Sequence, residues 1–211
     1  METDLTTAEL QSTDKPDFVA TLTLAAAAFR DGTGNRPKAN AVVNALLQVE
    51  KLAKQQRLSY PLESLLGHWR LCFTAPRKAH LRGGIALGKG LYVPQIARAH
   101  ISFSNQAPTS GQSAGIEISN SLQFSPLLFK LTGPAQYLGK KNKVKFDFTY
   151  MQLCLFGRAV YSGKFRSGTK AIDFYEQSVS RLPFFAFFLM TEDFIAARGR
   201  GGGLALWVKE S

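Results

Sequence analysis

Cysteine and histidine are scarce in this chain: 211 residues include two cysteines and three histidines. Cys72 and Cys154 lie far apart in apolar stretches, and neither has a second cysteine or a histidine at metal-ligand spacing. That pattern predicts two reduced core thiols and no metal site. His68, His80 and His100 are scattered, and none stands beside a Ser, Cys or carboxylate pattern that would pair a nucleophile with its base. Glu192-Asp193 is the one adjacent carboxylate pair, and adjacent side chains seldom converge on a substrate. Enzymatic chemistry and a cofactor are therefore not expected. Long apolar runs are missing too: Leu182 to Met190 is about half of the roughly 20 residues that a spanning helix needs. The start, Met1-Glu-Thr-Asp-Leu5, has neither the apolar core of a secretory signal nor the Arg/Ser-rich pattern of a transit peptide. The expectation is a chain that works where it is made, or one whose presequence has been removed.

Negative charge is also short, with 15 acidic residues against 26 basic ones and a net charge of +11. Such a surplus favours an anionic partner: nucleic acid, anionic lipid or an acidic protein. What is abundant is apolar material, at 45% of residues with 11% aromatic, enough for a full core. Residues 1–16 read as a flexible N-terminus and 17–60 as helical. Phe18, Leu22, Ala25 and Phe29 recur at helical spacing over 17–30, and Asp31-Gly32 ends the run. Val42, Val43, Leu46, Val49 and Ala53 form the stripe of a second helix over 38–56, completing a helical hairpin. Over 61–211 the texture changes to short alternating segments broken by Gly, Pro, Ser and Asn, which indicates an antiparallel barrel or sandwich. Strands are expected near 68–74, 98–104, 114–120, 122–132, 158–166, 170–178 and 203–209. A further one carries Val144, Phe146, Phe148, Tyr150, Cys154 and Phe156 on its dry side and Lys143, Lys145, Asp147 and Thr149 on its wet side.

Two other features stand out. Residues 130–170 hold nine basic side chains, among them Lys140, Lys141, Lys143 and Lys145, against Asp147 alone. Base stacking needs aromatics on the charged face, and here they alternate away from the lysines, so an anionic membrane surface is favoured over nucleic acid. Leu182-Pro-Phe-Phe-Ala-Phe-Phe-Leu-Met190 packs Phe184, Phe185, Phe187 and Phe188 too densely for one face of an amphipathic element. It reads either as a plug against the barrel or as a wedge for an acyl boundary or a lipophilic ligand. Gly199-Arg-Gly-Gly-Gly203 precedes a strand rather than opening a helix, so a tight β-turn suits it better than a phosphate loop.

Leu66-Gly-His-Trp-Arg-Leu-Cys-Phe-Thr-Ala75 resembles the opening strand of the plastid lipid-associated protein (fibrillin) family and echoes the Gly-x-Trp start of lipocalins. Thr191-Glu-Asp-Phe-Ile-Ala-Ala-Arg-Gly-Arg-Gly-Gly-Gly-Leu-Ala-Leu-Trp-Val-Lys209 is similar to the family's closing pattern: an acidic turn, Arg-Gly, a Gly-rich turn and a last apolar strand. It departs at Ile195, where the family carries an Arg, so a ligand contact from that position is not carried over. The resemblance spans about 17–209 as a single domain, with Gly67, Trp69, Arg198 and Gly199 as its structural motif. It implies a lipocalin-like (calycin) barrel without a catalytic set. Such a protein would bind lipids or carotenoid- or quinone-type molecules and associate peripherally with thylakoids or plastoglobules in a plastid or a cyanobacterial-type cell. In a cell without plastids the place would be the cytoplasm.

A barrel of about eight strands has an interior that takes side chains or one small ligand. The candidates to line it are Trp69, Phe73, Phe103, Phe124, Phe146, Phe148, Tyr150 and Phe174. Trp69 is expected to close the barrel base against Arg198 through a cation–π contact. Three readings compete with lipid binding: a basic barrel for nucleic acid, a lipocalin-like enzyme using Tyr150, Gln152 or Glu176 inside the cavity, and an accessory partner of isoprenoid or photosynthetic assembly.

Overall fold

A computed structural model describes residues 17–82, 85–106, 115–164 and 171–210. The N-terminal segment 1–16 lies outside them. Helix α1 spans Asp17–Arg30, with an acidic first turn and a basic last turn that both suit the helix dipole. Helix α2 spans Ala39–Gln56 and ends where Arg57 turns left-handed at φ 53 and its N–H bonds the Ala53 carbonyl. The apolar stripes of the two helices meet each other and a sheet: Leu22, Ala25, Phe29, Val42, Val43 and Leu46 share one buried cluster with Cys72, Phe73, Phe188, Leu206 and Val208.

The rest of the chain is strand. In order these are β1 (Gly67–Ala75), β2 (His80–Arg82), β3 (Ile85–Leu87), β4 (Leu91–Tyr92), β5 (Ala97–Gln106), β6 (Gly115–Phe124), β7 (Leu127–Leu138), β8 (Lys143–Phe146), β9 (Tyr150–Leu155), β10 (Arg158–Lys164), β11 (Phe184–Met190), β12 (Phe194–Gly199) and β13 (Leu204–Glu210). A short helix α3 (Ala171–Glu176) lies between β10 and β11. Eight strands close into an antiparallel barrel in the cyclic order β1-β5-β6-β7-β8-β11-β12-β13, and the β7–β8 pairing completes the ring. Each wall strand neighbours the next wall strand in sequence, so the ring is an up-and-down meander in which β2–β3 form a separate ribbon and β9–β10 a side branch.

Closing the sheet makes two sides out of every wall strand. Along β13, Ala205 and Trp207 enter the interior cluster, while Leu204, Leu206 and Val208 face the helices. The same alternation sends Ile195 and Ala197 inward and Phe194 and Ala196 outward on β12. The Phe-rich segment is neither a plug nor a wedge but the wall strand β11. Phe185 and Phe187 face the interior and Phe188 faces the helices, with a bulge between Phe187 and Leu189. Only Phe184 is left at the surface, half-buried beneath the Lys143 ammonium. The helices thus pack on the outside of the barrel, over β1, β13, β12 and β11.

One end of the barrel is shut by the link from α2 to β1. Tyr60, Leu65 and Trp69 belong to the interior cluster, and the Trp69 indole N–H donates to the Leu65 carbonyl at 2.8 Å. Asn142, left-handed at φ 46, fastens this link to the β7–β8 turn. Its amide donates to the Leu58 carbonyl, while its carbonyl oxygen accepts from the Tyr60 backbone N–H and the Tyr137 hydroxyl.

Candidate functional site

The opposite end is built differently, and the reason lies in β7. Its second half, Ala135 to Leu138, pairs with β8 and belongs to the barrel, whereas its first half, Leu127 to Thr132, pairs with β9. Strands β8 and β9 run along the same side of β7, but residues 147–149 interrupt the ladder there. The register passes from Ala135 opposite Phe146 to Thr132 opposite Tyr150, one residue out of step. A one-residue slip turns every later side chain to the other face. Val144 and Phe146 therefore point inward on β8, but on β9 the residues on that face are Met151, Leu153 and Leu155. Gly133 sits at the branch, where an added Cβ would collide with the Asp147 carbonyl.

Beyond the branch, β9 and β10 leave the barrel and, with the adjoining halves of β5, β6 and β7, form a wing. Pairing across an antiparallel ladder puts partners on one face. From Ile118 and Phe103 in the interior, that face continues through Leu131, Phe129, Leu127, Leu122 and Phe124 to Met151, Leu153, Leu155 and Tyr161. It is apolar almost throughout, apart from Asn120 and the terminal Arg158, and much of it is open. Leu122, Leu127, Leu155 and Tyr161 are exposed, and Phe124 is 55% exposed. The reverse face carries Ser119, Ser121, Lys130, Thr132, Gln152, Ser162 and Lys164, with Leu128, Cys154 and Ala159 towards the tip. The wing is thus an amphipathic sheet whose apolar side extends the barrel lining into the open.

The two hairpin turns at the tip of the wing lie side by side. Leu127 pairs with Leu155, and the Phe156 N–H donates to the Pro126 carbonyl at 2.9 Å. The β6–β7 turn is Ser125-Pro126, with Ser125 at φ 52, and the β9–β10 turn is Phe156-Gly157, with φ 51 and 76. Phe156 is 78% exposed.

Of the residues expected to line a cavity, Trp69, Phe103 and Phe146 are buried in the interior, with Phe148 half-buried beside them at the branch. The interior aromatics fill space against one another: Phe146 stacks on Phe185 at 5.1 Å, and Phe187 contacts both Phe103 and Trp207. The other four lie elsewhere. Phe73 faces the helices, because a bulge after Leu71 reverses β1. Phe124 is on the open wing. Tyr150, past the register slip, is on the polar face and hydrogen-bonded to the Ser162 hydroxyl. Phe174 is in α3, within the segment expected to be strand, and is buried beside the Lys145 ammonium.

Lys145 is a second correction. It is 3% exposed and donates to the carbonyls of Phe174, Tyr175 and Gln177, capping the end of α3, so it has no surface for a membrane. Desolvation holds its ammonium below the ordinary lysine value. Lys140 and Lys141 are exposed in the β7–β8 turn, at the end away from the wing tip. The cation over Trp69 is Lys209, at 5.4 Å, rather than Arg198. Arg198 points outward to Glu50 of α2 and to the Gly202 carbonyl. Gly67 begins β1 at φ 128, and the Gly199 N–H bonds the Gly203 carbonyl across the expected β-turn.

Polar chemistry in the interior is sparse. Tyr150, Gln152 and Glu176 all lie outside the barrel, on the reverse face of the wing or beside a shallow depression of about 500 Å³ lined by Glu176, Gln177, Ser178, Ser180 and Arg181. Burial pushes the hydroxyls of Tyr60 and Tyr137 up to about 12, leaving both as proton-bearing donors, and does the same to the Cys72 thiol. His100 lies on the outer wall with its Nε2 2.8 Å from Glu210; burial lowers its pKa despite that carboxylate. Among the described residues Cys72 and Cys154 are free thiols, no group of three side chains has metal-ligand geometry, and no helix is long and apolar enough to cross a membrane.

The wing was not legible in the sequence, although one signal was present. Leu122, Phe124, Leu127, Phe129 and Leu131 keep strand alternation across a turn, which marks a hairpin with one apolar face. No protein-family model matches the chain, and no curated protein matches it.

Proposed function

We propose that the chain is a non-enzymatic binder of lipid or a lipophilic pigment, and that the open apolar face of the wing is where the ligand rests. The carrying observation is a barrel lining that runs on past the point of closure onto exposed leucine and aromatic side chains. A monomeric protein in water seldom leaves such a contiguous apolar patch uncovered unless it binds something. A lipid chain or polyene laid along Leu122, Phe129, Leu131 and Met151 gains roughly 25 cal/mol for each Å² it covers, without asking for a polar partner. The packed interior gives such a molecule little room, so the proposed site is the wing rather than the barrel core. The meander of eight strands and the two end motifs that resemble the fibrillin family support the same reading, including a lipocalin-like ancestry and a peripheral place at thylakoid or plastoglobule membranes.

The test is binding of an anthroyloxy-labelled stearate in solution. Leu131→Gln and Met151→Gln together should weaken it by at least about tenfold, since each buried methylene is worth about 0.8 kcal/mol, while circular dichroism stays unchanged. Absence of binding by the unmodified protein to this probe and to a carotenoid probe would remove the proposal.

A further inference from the structure

We infer that the paired hairpin tip of the wing is a membrane-insertion element, and that Phe156 is held in a strained backbone conformation in order to enter the lipid. The inference rests on the lipid-binding reading and names the surface that it meets, an anionic bilayer. A two-residue hairpin turn with positive φ at both central positions strongly prefers Asn-Gly or Asp-Gly, because a side chain with a bulky Cβ substituent fits the left-handed region poorly. Here the first position is Phe156, at φ 51 and 78% exposed. Its backbone N–H joins the two turns, but its ring lies largely in solvent and offsets none of the conformational cost by burial. Strain of this kind persists where a function uses it.

The neighbouring tip supplies the rest of the surface. Phe124 and Leu127 flank the Ser125-Pro126 turn and Leu155 stands opposite Leu127, so both turns present apolar side chains at one edge. The charge fits an anionic surface: Arg158 adjoins the Phe156-Gly157 turn, Lys130 lies behind Leu127 on β7, and residues 122–130 and 150–158 hold no carboxylate. Basic side chains around an apolar tip pair with lipid phosphates while the aromatic enters the acyl boundary. Insertion of this edge would also bring the apolar face of the wing against the bilayer from which its ligand comes.

Phe156→Asn separates the two roles of the position, because Asn-Gly is the favoured pair for this turn and the aromatic is lost. The expected result is a raised unfolding midpoint together with at least about tenfold weaker co-flotation on phosphatidylcholine vesicles containing phosphatidylglycerol. Phe124→Ser should weaken flotation similarly, and vesicles without phosphatidylglycerol should bind the unmodified protein less well. Binding of the labelled stearate in solution should be unaltered by Phe156→Asn. If that variant floats as the unmodified protein does, or if the unmodified protein does not float, the insertion element is overturned; the stearate measurement then judges the lipid-binding reading separately. A variant that floats normally but loses self-association in sedimentation would assign the tip to a second copy of the chain and overturn the inference as well.

Discussion

Glu50 and Arg198 meet across the boundary between α2 and the outer wall of the barrel. Burial alone would push the Glu50 carboxyl up, but two hydrogen bonds from Arg198 and one from Lys54 outweigh it and hold its pKa below the ordinary 4.5. A carboxyl whose pKa is depressed on folding adds stability above its unfolded pKa and loses it as pH falls through the folded one. Glu50→Ala should therefore cost about 3 kcal/mol near neutral pH, since it leaves Arg198 without its partner. The gap from the unmodified protein in urea unfolding should narrow as pH drops below 4.5. A gap that stays constant with pH would mean that helix packing, and not the ion pair, sets the cost. Lys145 shows the same kind of assignment at residue scale. In sequence it is one of a basic run, and in the folded chain it is the cap of α3.

At the scale of elements, the interruption at 147–149 does most to shape the molecule. It allows one side of β7 to serve two purposes, with β8 closing the barrel and β9 starting the wing. Gly133 makes the close passage possible, because the obstacle to a Cβ is a backbone oxygen that has no rotamer to escape into. Gly133→Ala should lower stability by about 2 kcal/mol, within the usual range for overpacking a tight site, and should be visible as a lower thermal midpoint. The loss should be accompanied by faster amide exchange in β9 and β10, which hang from the branch. An unchanged midpoint would show that the crossing is looser than this geometry requires.

For the molecule as a whole, the helices and the barrel interior bury apolar surface on both sides of β1, β11, β12 and β13, whereas the wing buries little on either side. Local opening follows buried contact. Native-state hydrogen exchange should thus release β10 amides first, then β9, with the amides around Trp69, Ile195 and Leu206 last. Protection of β10 equal to that of β13 would contradict this order.

Helices α1 and α2 and the strand texture of the barrel were legible in sequence, because the apolar stripe at period 3.6 and the alternation at period 2 are local properties; α3 was not, and its segment reads as strand. The glycine turn at 199–203 was legible too. The identity of the faces came only from tertiary structure. Four phenylalanines in β11 fit no amphipathic pattern because both faces of that strand are covered, one by the interior and one by α1 and α2. The dry face expected from Val144 to Phe156 changes sides at Asp147, where a register slip that depends on β7 intervenes. The wing was hidden for the same reason. An alternating apolar strand reads alike whether its dry side meets a core or open water, and only the closure of the barrel, one strand short of β9, leaves that side uncovered.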